Sequence, residues 1–232
     1  VVVAKTDPNE RAKGCSLMLL ETEGAEGFQR GKKLDKIGLD AADTSELFFE
    51  DVFVPAENVL GGVEGKGFYQ LMGELPQERL VIAMGAATAI EKALDVTVDY
   101  VKTRKAFGQT IWDFQNTQFV LADLKARGTA ARVFVNDCSA KLLKGELDVA
   151  TASMAKYWVT ELQSEVVDKC LQLHGGAGYI NEYPIAKMYR DGRITRIFGG
   201  SNEVMKMLIA RSMCLRSPIR GCVLGAVPSG QS

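Results

Sequence analysis

The chain has 232 residues, 47% hydrophobic and 25% charged, with 28 basic against 29 acidic side chains. That composition is ordinary for a globular protein, and the length suffices for one large domain or one domain and part of another. A formal net charge of −1 argues against a general binder of nucleic acid or anionic membrane, and a single histidine excludes a His-rich metal site. The cysteines, Cys15, Cys138, Cys170, Cys214 and Cys222, form no C-x-x-C pair. A zinc ribbon and a thioredoxin-like redox pair are therefore excluded, and reduced thiols in a reducing compartment are expected. No apolar run reaches the roughly 18 residues of a membrane span, and no signal peptide is visible. The chain opens without Met on the strand-like Val1–Thr6, which leads to the expectation of a fragment.

Residues 1–60 read as β-rich. Val1–Thr6 is followed by a Pro/Asn turn and by Ser16–Leu20, and the aromatic and β-branched run Ser45–Val54 stops at Pro55. Gly61, Gly62, Gly65 and Gly67 punctuate the chain and place a domain boundary there. From Gly67 the period becomes helical. Leu80, Met84, Ala87, Leu94, Val98 and Val101 form one stripe, on a helix running to about Arg104. Phe114, Thr117, Leu121, Leu124, Gly128, Ala131, Val135, Cys138 and Leu142 form a second; Ala152, Ala155, Val159, Leu162, Val166, Cys170 and Leu173 form a third. Steps of three and four bury a narrow seam against neighbouring helices, as in an antiparallel bundle. A last short helix is expected over Asn202–Met213, so that 61–213 form the helical domain, and 214–232 are expected to be a disordered tail.

Three motifs fail on inspection. Gly61–Lys66 has glycine spacing too short for a phosphate loop, and Lys66 is followed by Gly67. Gly175-Gly176-Ala177-Gly178 follows a helix rather than a strand, so it is no dinucleotide fingerprint. His174 has no nucleophile elbow to serve.

Four places could carry chemistry. Glu78 precedes Leu80–Ile90, eleven residues without a charge, and shares a helical face with Val81, Ile82, Gly85 and Ala89. Desolvation there would suit a base for a carbon acid. Equally, with Pro76 as the first helical residue, Glu78 would simply favour the helix dipole. Arg104, with Phe107 and Gly108, could hold a pyrophosphate and cover a ring, or be a basic last turn with a glycine stop. Gln172-Leu173-His174-Gly175-Gly176 lets a ligand approach the backbone closely, or is a C-cap and turn. Gly199-Gly200-Ser201-Asn202-Glu203 opens the last helix, where free amides could receive a carbonyl oxygen or phosphate, or where Ser and Asn serve as an ordinary N-cap.

Taken together, LFFEDVFVP (Leu47–Pro55), RKAFG (Arg104–Gly108) with Gln115, QLHGGAG (Gln172–Gly178), Tyr183-Pro184, Arg190-Asp191 and GGSNE (Gly199–Glu203) resemble the acyl-CoA dehydrogenase family from residue 1 to about 213. Tyr69 with ELPQERL (Glu74–Leu80) is most similar to the long-chain members. The resemblance implies a mainly α fold with a partial β-domain: the second half of a β-barrel-like middle domain, then an up-and-down four-helix bundle. It implies FAD-dependent α,β-dehydrogenation of acyl-CoA thioesters, of the fatty-acid oxidation type. A carboxylate takes the α-proton while the β-hydride passes to flavin N5. Many members carry that carboxylate at the position that is Gly199 here, which cannot act as a base. Long-chain and isovaleryl-type members carry it at the position matching Glu78, which makes Glu78 the expected base.

By the same resemblance, Arg104, Phe107, Gln115 and Gln172–Gly176 would contact the FAD of a neighbouring subunit, and Ser201, Asn202 and Glu203 would touch FAD near the active site. Tyr69, Gln77, Arg79, Gly199 and Gly200 would border substrate. A homotetramer, an electron-transferring flavoprotein as redox partner, and a bacterial cytoplasm or mitochondrial matrix are implied as well. The family has a helical domain and further β-structure upstream of the matching region, so these residues alone are expected to bind FAD poorly. A silent relative used as an assembly scaffold, or a flavin oxidase or monooxygenase on the same fold, are the competing expectations.

Overall fold

Residues 1–215 are described in the computed structural model. The β-rich stretch forms two separate antiparallel ladders. β1 (Val2–Lys5) pairs with β2 (Cys15–Met18), Val2 opposite Met18. β3 (Phe28–Lys33) pairs with β4 (Ser45–Phe49), with a bulge between Arg30 and Lys33. The run expected to stay extended to Val54 ends at Phe49. There Glu50 N–H donates to Gly27 O at 2.9 Å and Asp51 takes a left-handed φ of 50°. The two ladders share no strand among the described residues, so no barrel is closed within them. Leu47, Phe48 and Phe53 stand exposed, which two-stranded ladders alone cannot remedy.

β2 docks on the start of α1 (Gly67–Thr103). Gly67 has no room for a side chain, because a Cβ there would lie 2.7 Å from Leu17 N and from the Ser16 carbonyl carbon. α1 is 37 residues long, hence about 55 Å. It begins at Gly67, so Pro76 lies inside the helix and is not its first residue, as the dipole reading of Glu78 required. Pro76 leaves the carbonyl of Met72 without its i+4 donor, at a point where Met72 is exposed and water can serve.

The hairpin β5 (Lys105–Ala106) and β6 (Gln109–Thr110) turns at Phe107-Gly108, both at positive φ. It leads into α2 (Gln115–Leu143). α3 (Val149–His174) starts at Asp148, whose carboxylate accepts from Thr151 N–H at 2.9 Å. α4 (Pro184–Gly192) uses Pro184 as its first-turn proline and is a helix that the periodicity did not reveal. α5 (Asn202–Leu215) ends the described chain, so Cys214 and Leu215 continue the last helix beyond the expected limit. The remainder of the expected tail lies outside the described residues.

The core is the seam between α1, α2 and α3, with Leu80, Ile90, Leu124, Val135, Val159 and Val166 buried. The α2 and α3 stripes are as expected except at their ends, where Phe114, Leu142 and Leu173 are only half-buried. On α1 the buried face runs through Ala83, Ala87, Ile90, Leu94, Thr97 and Val101, which leaves Met84 exposed and Val98 half-buried. Its small residues let α3 approach closely, and Gly128 does the same for α2, since a Cβ there would lie 2.8 Å from Ile90 Cγ2. One loop of the β-rich part is tied to the bundle: Asp191 on α4 accepts from Leu39 N–H at 2.7 Å, with Leu39 itself at φ 53°.

Candidate active site

The segment Gly199-Gly200 turns the chain into α5 with φ of 64° and 97°, values that favour glycine. It lies against α1. A Cβ on Gly199 would meet Ile82 Cδ1 at 2.4 Å, and the Gly199 carbonyl accepts a long 3.5 Å bond from Arg79 Nε. Arg79 is 5% exposed. Burial lowers its pKa, and the neighbouring Glu78 opposes that. Among the described residues, the N–H groups of Gly199 and Gly200 donate to no other group of the chain.

From the other side the turn is held by a buried polar network that the sequence reading missed. Lys156 on α3 is 0% exposed, and its ammonium donates to Gly200 O and to Asn202 Oδ1, both at 2.8 Å. Burial pushes its pKa down to about 8; Glu161 and Glu203 oppose the shift, and Arg79 adds to it. Asn202 Nδ2 donates to Glu161 Oε1 at 2.8 Å and to Thr160 Oγ1 at 3.1 Å. Arg196 closes the chain of contacts on Glu161 Oε2 at 3.0 Å. A signal for Lys156 was present: it falls on the buried face of α3 between Ala152 and Val159, where a lysine is out of place.

Glu78 stands one helical turn before Ile82 on the same face of α1, so it borders this turn. Its surroundings are apolar, as the sequence implies, but open. Glu78 is exposed, Val81 is 58% exposed, and Gly85 has nothing within 4 Å of a Cβ position. These residues by themselves do not desolvate the carboxylate; a ligand lying along the face would. Gln77 is exposed beside it. Ser201 is half-buried, and Glu203 is exposed, its carboxyl held below the usual range by its own backbone N–H and the Ser201 hydroxyl. Asn202 is 1% exposed with its amide fully engaged, so its side chain serves the turn. Tyr69, nearer the start of α1, lines a different hollow with Lys13, Glu64 and Lys66.

A second cluster forms at the far end of α1, where a hollow of about 720 Å³ brings Arg104 together with Gln172, Leu173, His174, Gly175 and Gly176. His174 is buried; it stacks on Tyr100 at 4.3 Å and its Nδ1 contacts Cys170 O at 2.8 Å. Burial lowers its pKa, which favours the neutral ring. Tyr100 donates to His174 O at 3.1 Å. Gly175 (φ 58°) and Gly176 have nothing within 4 Å of a Cβ position, so the backbone here is open to a ligand beside one guanidinium, an arrangement suited to a phosphate-bearing group. Phe107, 95% exposed at the hairpin tip, and Gln115, exposed at the start of α2, do not line this hollow.

The family pattern described as "Acyl-CoA dehydrogenase, C-terminal domain" matches residues 65–214, from just before α1 through α5. The chain belongs to the acyl-CoA dehydrogenase family. It is 53% identical over 215 residues to the long-chain specific acyl-CoA dehydrogenase, mitochondrial, of Mus musculus, a match covering 92% of this chain and 50% of the relative. It is 38% identical over 210 residues to the caffeyl-CoA reductase-Etf complex subunit CarC of Acetobacterium woodii, covering 90% of this chain and 55% of that one. The crystal structure of acyl-CoA dehydrogenase from Geobacillus kaustophilus superimposes with a TM-score of 0.89 at 47% identity, covering 92% of this chain and 56% of that chain. The chain thus spans about half the length of the relatives it matches. No helix among its described residues is long and apolar enough to cross a membrane.

Proposed function

We propose that this chain supplies the catalytic base and part of the flavin-binding surface of an enzyme that dehydrogenates acyl-CoA thioesters between Cα and Cβ. The observation that carries the reading is the packing of the Gly199-Gly200 turn on Arg79 and Ile82 of α1, one helical turn from Glu78. It supports a reading in which the Glu78 carboxylate and the backbone N–H groups of the turn act on one substrate. A thioester α-proton is too weakly acidic for a carboxylate unless charge developing on the thioester oxygen is stabilised. In this reading Glu78 takes the α-proton, and an N–H of Gly199 or Gly200 holds the thioester oxygen. The apolar face of Val81, Ile82 and Gly85 borders the acyl chain and excludes water from the carboxylate, with Tyr69, Gln77 and Arg79 toward the rest of the substrate. FAD, when bound, accepts the β-hydride.

Two groups of residues would hold FAD. Ser201 and Glu203 border it at the Glu78 site, with Asn202 fixing the turn between them. Arg104, Gln172, Leu173, His174, Gly175 and Gly176 form the second group, with Phe107 and Gln115 nearby. Glu78 and Tyr100 are separated by about 33 Å along α1 at 1.5 Å per residue. The two ends would therefore serve different flavins, each completed by a neighbouring copy, in keeping with a homotetramer. An electron-transferring flavoprotein would reoxidise the enzyme, which agrees with the Etf-complex name of the Acetobacterium woodii relative. A bacterial cytoplasm or a mitochondrial matrix would suit this role.

The test compares wild type with Glu78→Gln in the full-length enzyme that contains this chain. FAD content is read from absorbance, and flavin bleaching is followed after anaerobic addition of a long-chain acyl-CoA. Both proteins should hold FAD and only wild type should bleach. A wild type that holds FAD and bleaches with no acyl-CoA would refute the dehydrogenase reading and favour an oxidase or a scaffold.

A further inference from the structure

Lys156 is the largest fully buried side chain among the described residues, and an ammonium ion in that position needs a reason. Replacing a buried charge with an apolar side chain of similar volume is often neutral or stabilising, so packing alone does not account for it. Its two partners, Gly200 O and Asn202 Oδ1, both belong to the segment that enters α5. Of the charged groups around it, Glu161 lies on its own helix, Glu203 on α5 and Arg79 on α1; none of them forms a hydrogen bond with Nζ among the described residues.

We infer that Lys156 is a positioning residue for the active site: by holding Gly200 O and Asn202 Oδ1 it fixes the Gly199-Gly200 turn so that backbone N–H groups stay within reach of a thioester oxygen beside Glu78. The inference rests on the acyl-CoA reading given above. Two consecutive glycines at positive φ form the segment least able to hold its own shape, because glycine has the most backbone freedom to lose. The structure replaces that missing stiffness with two cations, Arg79 from α1 on the Gly199 carbonyl and Lys156 from α3 on the Gly200 carbonyl. In a trans peptide the N–H points opposite to the C=O. Drawing the Gly199 carbonyl toward α1 therefore turns the Gly200 N–H the other way, and holding the next carbonyl, Gly200 O, from α3 fixes the far side of the same residue, so that Gly200 is clamped between two peptide planes. Lys156 touches neither substrate nor flavin in this account. It acts through the turn.

The experiment uses the full-length FAD-loaded enzyme as wild type, Lys156→Met, which keeps the length and loses every donor, and Lys156→Gln, which keeps an NH₂. Three quantities are read: the rate of anaerobic flavin bleaching at saturating long-chain acyl-CoA, the substrate Kd, and hydrogen exchange of the amides of residues 199–203. Lys156→Met should bleach about 100-fold more slowly, with Kd within about threefold of wild type, since misplacing an oxyanion donor acts on the transition state. Its amides at 199–203 should exchange faster while those of α1–α3 keep their protection. Lys156→Gln should recover about tenfold of the lost rate and stay about tenfold below wild type.

Bleaching of Lys156→Met within about threefold of wild type overturns the inference, as does unchanged exchange at 199–203. If Lys156→Met does not fold, Lys156→Gln decides. Faster exchange confined to 199–203 with a slowed bleaching rate supports the inference, and a wild-type rate and exchange pattern overturn it. A wild type that holds FAD and never bleaches fails the acyl-CoA reading and this role with it. A bleaching wild type with an unimpaired Lys156→Met fails this role alone.

Discussion

Lys156 also makes the stability of the protein rise with pH, the reverse of a lysine held in an ion pair, and the size of the effect follows from its burial. Its pKa falls from the ordinary 10.5 to about 8 in the folded protein, chiefly because burial disfavours the charged form. The folded state therefore releases this proton before the unfolded state does. Between the two pKa values the unfolded state binds more protons, so stability rises with pH there; below about pH 8 both states are protonated and the slope vanishes. At about 1.4 kcal/mol per unit of pKa difference, the whole effect is about 3 kcal/mol, most of it between pH 7 and pH 10.

Wild type and Lys156→Met share the other titrating groups, so the difference between their unfolding free energies isolates this one. Urea unfolding of both proteins at pH 7, 8, 9 and 10, followed by fluorescence of Trp112 and Trp158 in the bundle, measures it. Wild type should gain on the variant across that range, with most of the gain above pH 8. A difference flat to within about 0.5 kcal/mol would mean that the ammonium keeps its ordinary affinity for a proton, and hence that water reaches it. A difference moving the other way would refute the assignment of burial as the dominant cause.

Glu78→Gln should leave the unfolding free energy in urea within about 0.5 kcal/mol of wild type while abolishing bleaching, because the side chain is exposed and makes no hydrogen bond or ion pair among the described residues. Gly199→Ala should cost about 2–4 kcal/mol, from a left-handed φ plus a Cβ placed 2.4 Å from Ile82 Cδ1. Adding Ile82→Ala should relieve the contact part, and a double-mutant cycle read by urea unfolding measures that coupling. Gly128→Val should destabilise the bundle by about 1–3 kcal/mol by overpacking against Ile90, and thermal unfolding will check it. Asp191→Ala should speed hydrogen exchange at Leu39 and cost about 1–3 kcal/mol, since the Leu39 amide loses its partner; unchanged exchange there would show that the bond does not anchor the loop.

How much of this was legible in the sequence depends on where the determining contacts lie along the chain. The three long helices were readable because their seams repeat in steps of three and four, and those of α2 and α3 are buried almost residue for residue. The α1 seam differs at Met84 because the buried face is built largely of alanines, which carry little hydrophobic signal, so Met84 stands in the expected stripe in place of Ala83 and Ala86. α4 is short and defined by its proline start, too few residues for a period to show. The site divided in the same way. Residues within one local motif, such as Gln172–Gly176 or Gly199–Glu203, could be picked out as units. That Arg104 joins the first unit, and Glu78 the second, depends on contacts between distant parts of the chain. Lys156 escaped notice because a lysine on a helix reads as solvated until its neighbours are known.

The packing at Ile82 gives a physical reason for the pairing of a carboxylate at 78 with a glycine at 199. The space in front of α1 at this turn is already filled: Ile82 Cδ1 lies where a Cβ of residue 199 would begin. A longer side chain at 199 would have to displace Ile82 or leave the left-handed conformation that carries the chain into α5. Glu78 stands one turn away on the same face of α1 and is not part of that contact. A carboxylate borne by α1 and a bare turn opposite it thus fit one another, whereas a carboxylate on the turn would call for a smaller residue at 82. A second ionised carboxylate a few ångströms away would raise the proton affinity of both and blur the division between base and bystander. Moving the proposed base from Glu78 to residue 199 is accordingly expected to need three changes together: Glu78→Gly, Gly199→Glu and a smaller residue at Ile82. Gly199→Glu added alone should yield a less stable enzyme with a disturbed pH profile rather than a faster one.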